Sequence, residues 1–206
     1  MPRILQSRSG EDFRVGPHSS RIAADLALLG SASGAEREVA VTVREAGDAF
    51  IVQATIRPPV SLRTAWDVLI DFDHMVGIVS NLTASKVVSR NGNILIVQQE
   101  GIARFGIFSY PFTAEREIRM EPQRRIVAKN LSGTLKRMES ELRLVPTGAE
   151  GIRIEYRAEF AFDSIIAGLF GVSFLHHEVE EQFLSIVAEM KRREGQAAAD
   201  PLQAKQ

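Results

Sequence analysis

Cysteine is absent from this chain of 206 residues, which excludes a disulfide framework, a thiol nucleophile and a cysteine-ligated zinc. The same absence does not choose a compartment, because a cysteine-free chain survives in any of them. A surplus of one charge is lacking too. Lysine and arginine number 25 against 26 aspartates and glutamates, and no dense basic run occurs, so nucleic acid is not an expected partner. The longest apolar run, Ile165–Leu175, falls far short of the roughly 20 residues that cross a bilayer. No membrane-spanning helix is expected.

What is present suits one globular core with tails, since 45% of the residues are hydrophobic and the length fits a single domain. Residues 1–36 mix arginines and serines with a short apolar patch that Asp25 interrupts. They read as a loosely ordered cytoplasmic extension, with periplasmic export the less favoured alternative. Residues 37–194 form the domain, and residues 195–206, without apolar periodicity, read as a disordered tail.

Within the domain, "EVAVTVREAGDAFIVQATIRPP" alternates apolar and polar residues on both sides of Gly47 and Asp48, as a tight hairpin requires. Pro58 and Pro59 stop the pairing. Ser61 is a candidate N-cap for a helix whose Leu62, Trp66, Leu69 and Ile70 share one face, which makes Trp66 a core residue by default. From Leu82 to Phe162 a meander of six strands follows, with turn signals at Asn91-Gly92, Glu121-Pro122 and Pro146 to Gly151. In the last two strands charged residues alternate with apolar ones. A register placing Arg143 opposite Glu155, Glu141 opposite Arg157 and Leu142 opposite Tyr156 sets unlike charges against each other, and a slip of two residues sets like against like.

A curved antiparallel sheet with one apolar face, two short helices after its first strands and a long final helix make an α+β chain. Its order of elements resembles the START-like, or helix-grip, superfamily over about Val39 to Arg193. "SLRTAWDVLIDFDHMVGIVSNLTASKVVSRNGN", "VQQEGIARFGIFSYPF" and "HHEVEEQFLSIVAEMKRR" are similar to segments of the polyketide cyclase/dehydrase and coenzyme Q-binding families within it. The resemblance implies a cavity between sheet and final helix, used across the superfamily to hold lipids, sterols, quinones or polyketides, with or without chemistry. Fold alone does not choose among these.

The stretch "SFLHHEVEEQF" carries the candidate chemistry. At 100° per residue Val172, His176, Val179, Phe183, Val187 and Met190 share an inward stripe, His177 lies a quarter-turn away, and Glu178 and Glu181 fall on the outer side. Adjacent histidines so arranged cannot both face one ion, and no third ligand or HExxH motif is at hand, so neither metal nor cofactor is expected. Glu180, one turn after His176, can pair with it. Three roles remain open for His176: a satisfied semi-buried side chain, a polar group that orients a ligand, or a general acid/base.

On the sheet, alternation turns Gln98, Asn130, Ser140 and Tyr156 inward beside Met138 and Phe160. Arg116 points inward as well unless a bulge turns it out; inside, it needs a carboxylate partner or an anionic or carbonyl-bearing ligand. Tyr110 and Phe112, with Phe105 and Phe108, are placed to line a mouth, although aromatic clusters of this kind are usually packing. The glycine-interrupted Ile165–Leu175 segment reads as a flexible approach to the final helix, with a peripheral membrane contact or a subunit contact as its uses.

The favoured function is binding or transport of a hydrophobic small molecule such as a quinone, lipid or polyketide-like compound, by a monomer or homodimer. The alternative is an aromatase/cyclase or dehydratase in which His176 with Glu180 moves protons and Arg116 or Tyr156 steadies an enolate. A protein-docking role on the sheet's outer charges is disfavoured, because those charges alternate in sign.

Overall fold

The computed structural model describes residues 37–105, 108–148, 151–162 and 171–199. The readings of residues 1–36, of residues 200–206, of Ile165 to Phe170 and of the Phe105 and Phe108 side chains fall outside the described residues.

The alternating segment at the start forms β1 (Val39–Ala46) and β2 (Ala49–Ile56), joined at Gly47, whose φ of 66° suits the first central position of a tight hairpin turn. Their inward residues Val39, Val41, Val52, Ala54 and Ile56 are all buried. After the prolines, Ser61 caps α1 (Leu62–Leu69): its hydroxyl accepts from the Thr64 N–H at 3.2 Å. A 3-10 turn over Phe72–Gly77 completes the helical pair.

Six further strands follow: β3 (Leu82–Asn91), β4 (Ile94–Phe105), β5 (Phe108–Glu121), β6 (Arg125–Gly133), β7 (Arg137–Pro146) and β8 (Ile152–Ala161). The sheet order is β1-β2-β8-β7-β6-β5-β4-β3, with every pairing antiparallel. The hairpin therefore closes on the last strand, and the meander runs back from there to β3. Between β7 and β8 Arg143 lies opposite Glu155, Leu142 opposite Tyr156 and Glu141 opposite Arg157, the register that charge alternation demanded. The ion pairs form differently from that register. Glu141 takes Arg143 of its own strand at 2.7 Å and Arg125 of β6, and Glu155 takes Arg153 at 2.9 Å, because a long arginine reaches the neighbour two residues along as easily as the one across.

The last element, α2 (Val172–Ala199), lies across β1, β2 and α1. Val179, Phe183, Val187 and Met190 enter the core that the inner face of the sheet shares with Ala65, Trp66, Val68 and Leu69 of α1. Side chains of this size contribute about 1.5–3 kcal/mol each when fully buried, so the helix is held first by its apolar stripe. Polar ties fasten its carboxyl-terminal half. Lys191 pairs with Glu38 at 2.6 Å, Arg193 pairs with Asp71 at 2.6 Å, and Glu194 accepts from both the N–H and the hydroxyl of Ser61 at 3.0 Å. The helix continues to Ala199, past the Glu194 boundary expected from the loss of apolar periodicity. Gln196 and three alanines are strong helix formers and extend it without needing a partner face. The whole is a helix-grip fold: a curved antiparallel sheet wrapped on a long carboxyl-terminal helix.

Candidate functional site

The inner face of the sheet and the amino-terminal half of α2 do not meet everywhere. Between them lies a recess of about 320 Å³, at the small end of the range of ligand pockets. Its apolar wall comes from Ile118 of β5, Ile126 and Ala128 of β6, Leu142 of β7, Phe160 of β8 and Leu175, Val179, Phe183 and Ile186 of α2. Leu69, Phe72, Met75 and Val79 close it from the helical pair and the loop that follows.

Two polar groupings break this wall. The first centres on Arg116. Its Nη2 donates to Gln99 Oε1, the Gln99 Nε2 donates to Ser85 Oγ at 3.0 Å, and the Ser85 hydroxyl donates to the Phe72 carbonyl at 2.5 Å. Each link uses up the donor that would let the previous group turn, so the Gln99 carbonyl oxygen is left facing the guanidinium. Arg116 Nε is buried and has no hydrogen-bond partner, and among the described residues no carboxylate lies within ion-pair distance of it. Burial pushes the guanidinium below its usual range while the nearby Tyr156 works the other way, yet an arginine does not lose its proton in a protein. Burial likewise pushes the Tyr156 phenol up, against the Arg116 charge and the Ser140 side chain. The phenol ring meets Phe183 edge-on, with centroids 5.1 Å apart.

The second grouping is Glu178 with Asn81. Asn81 Nδ2 donates to Glu178 Oε2 at 2.9 Å, joining α2 to the start of β3. Gly101 makes this reach available. The Asn81 carbonyl accepts from the Ile102 N–H at 2.8 Å, and any side chain at Gly101 would collide with that carbonyl and with the Phe112 ring. Burial pushes the Glu178 carboxyl up, with the Asn81 hydrogen bond and His177 opposing. Gly101 and Gln99 are two residues apart on β4, so the two groupings occupy successive inward positions about 7 Å apart along the strand.

A family model for polyketide cyclase / dehydrase and lipid transport matches residues 49–193. The chain belongs to that family. No curated protein sequence matches it significantly. Among solved structures it is similar to the Zhui aromatase/cyclase of a Streptomyces species, with a TM-score of 0.58 and 16% identity over 70% of this chain and 95% of that one. It is similar to a STAR-related lipid transfer protein of Xanthomonas axonopodis, with a TM-score of 0.58 and 12% identity over 78% and 98% of the two chains. Human STARD10 is a third, with a TM-score of 0.57 and 11% identity over 90% and 84%. At these identities the likeness is one of fold.

In this polyketide cyclase/dehydrase-family chain the recess gathers Tyr110, Arg116, Met138, Ser140, Tyr156, Phe160 and Phe183 from the residues singled out in the sequence. Phe112 lines it as well. Five others stand elsewhere. Trp66 is buried in the core between α1 and the sheet, away from the recess wall. Gln98 points outward and donates to Glu115 at 2.6 Å, and Gln99 takes the inward place. Asn130 keeps its inward parity, but its amide donates to the Leu135 carbonyl at the turn that leads to β7. His176 and Glu180 lie on the flank of α2, half-exposed, with Nδ1 and Oε2 3.8 Å apart, too far for a hydrogen bond. Arg116 does turn inward: the β5–β6 pairing slips at Glu115/Arg116, and the unmatched residue is Leu131 of β6, so the irregularity leaves Arg116 on the inner face.

The sequence reading missed Asn81, Gln99, Glu178 and Gln182, all on the recess wall. Gln99 carried a signal, because it sits one position from Gln98; Glu178 lies between His176 and Glu180, two positions from each, on the side of the helix expected to face outward. Asn81 lies in a connection between elements, where no periodicity marks the inward side.

Proposed function

We propose that this chain binds and carries a hydrophobic small molecule in the recess between the sheet and α2. The observation that supports it best is the composition of the wall. It is mostly apolar, its charged groups are confined to two localised groupings, and the histidine–glutamate pair that would have served as an acid/base dyad lies outside it. Such a wall binds by burial, at about 0.8 kcal/mol for each methylene removed from water. Affinity then grows with the apolar body, and Arg116, Tyr156 and Ser140 orient its polar end. Relatives of this fold include both a lipid transfer protein and an aromatase/cyclase, so fold likeness leaves carriage and catalysis both open.

Native mass spectrometry of protein purified from its own organism, followed by extraction, tests the reading. A co-purifying lipophile is the expected result. An apo mass, together with a recess that takes up no lipophile from a defined mixture, would refute it.

One observation favours a second reading, catalysis of the cyclase or dehydratase type. Glu178 is a carboxyl on the recess wall whose burial pushes its pKa up, the condition under which a carboxyl serves as a general acid near neutral pH. On that reading Glu178, rather than His176, moves the proton, and Glu178→Gln abolishes turnover while ligand still binds.

A further inference from the structure

The ligand class of the recess can be narrowed from Arg116 alone. Among the described residues of the wall it is the one cationic side chain and Glu178 the one carboxyl. Arg116 is part-buried, with its Nε sealed from solvent and no counter-charge beside it, and a desolvated charge of this kind is retained where something repays it. Glu178 does not repay it, because its carboxylate is engaged by Asn81 at the neighbouring inward position. Gln99 offers one neutral oxygen and takes Nη2 only. The Nε hydrogen remains buried without an acceptor.

That arrangement has a specific complement. The fork of an arginine donates two parallel N–H bonds to the oxygens of a planar oxyanion. Here the Gln99–Ser85–Phe72 chain of hydrogen bonds fixes the plane of the fork before any ligand arrives, and prior ordering of this kind lowers the cost of binding. We propose that the recess takes an amphiphile with a single planar oxyanion head, a carboxylate, seated on Arg116 Nε with its apolar body against Ile118, Leu142 and Phe183. This narrows the carrier reading above and rests on it. The volume of about 320 Å³ lies at the small end of the roughly 300–1,000 Å³ of small-molecule pockets. The body is therefore a medium chain or a compact ring system.

A matched pair of probes separates the head from the body. Decanoate and decanol share one apolar chain and differ in the oxyanion, so each is titrated calorimetrically into the full chain at neutral pH. Decanoate should bind about tenfold to a hundredfold more tightly, the range of a charge-assisted hydrogen bond. Arg116→Met should bring that preference close to one. Gln99→Glu, nearly isosteric, places a carboxylate against the guanidinium and should do the same without removing the arginine, which keeps the test intact if the methionine variant does not fold. His176→Ala, outside the recess, should keep the full preference. Equal binding of the two probes, or a preference that survives both recess variants, would overturn the proposal and leave the carrier reading standing. Binding of neither probe would overturn both.

Discussion

Glu194 closes a contact between two elements that are far apart in the chain, and its removal has a calculable cost. Its two carboxylate oxygens accept from the N–H and the hydroxyl of Ser61, each at 3.0 Å, and the same hydroxyl accepts from Thr64 N–H at the first turn of α1. Burial by itself would raise this carboxyl, but Thr64 and the two Ser61 groups hold it below its ordinary range. A hydrogen bond to a charged group contributes about 1.5–3 kcal/mol when shielded from water, and partial exposure lowers each of these two to about 1 kcal/mol. Glu194→Ala should then cost about 2 kcal/mol. Ser61→Ala, which also removes the N-cap, should cost about 1–2 kcal/mol. Because both substitutions break one network, the double variant should lose about 1 kcal/mol less than the sum. Urea denaturation followed by circular dichroism reads all three, and thermal melts should fall by about 2–4 °C per kcal/mol for a domain of this size. The pH dependence has a definite sign. A depressed carboxyl stabilises the fold above its unfolded value, near 4.3, and that stabilisation is lost as pH falls through the folded value. The gap between Glu194→Ala and the parent should therefore be full at pH 7 and shrink below about pH 4. Strict additivity, or a gap that does not change with pH, would refute the reasoning.

Glu178 should show the opposite sign. Its folded carboxyl is pushed up by burial, so its neutral form suits the fold and stability is lost as pH rises through the folded value. Glu178→Gln should raise the melting temperature relative to the parent at pH 8 and leave it unchanged at pH 4. Gly101→Ala forces a methyl group against the Asn81 carbonyl and the Phe112 ring, and should cost about 1–3 kcal/mol in urea while disturbing the recess. Met190→Ala empties a fully buried site under α2 and should cost about 2–5 kcal/mol by the same measurement.

The strands were legible where one face is charged and the other apolar. Arg143, Glu141, Glu155 and Arg157 show their register in print, because a slip of one residue turns the buried face outward and a slip of two sets like charges opposite each other. Ile94 to Val97 are apolar at both parities, so alternation could not decide between Gln98 and Gln99; the structure puts Leu95 and Val97 inside, and Gln99 follows them. The helix phase failed for a related reason. Counting back from Val179, both the third and the fourth residue lie on the inward stripe. The third is His176 and the fourth is Leu175, and the apolar one is buried. That shift of one residue carried Glu178 from the expected outer side to the recess wall. Arg116 was open between two orientations, and only the placement of the extra residue on β6 settles which applies.

The sheet order has a kinetic side. β2 finds one neighbour at once in β1, but its other edge pairs with β8, so Ala49 must wait for Ala161. During synthesis the hairpin stays open along a strand whose residues are largely apolar, while β3 to β7 can zip in sequence behind it. Closure then requires joining the two ends of the domain, a step whose chain-entropy cost makes folding slow relative to local hairpin formation. Until α2 emerges to cover the inner face, the partly made sheet exposes a sticky surface to other nascent chains. For a protein built this way, the time between the first strand and the last helix leaving the ribosome is the interval of greatest risk.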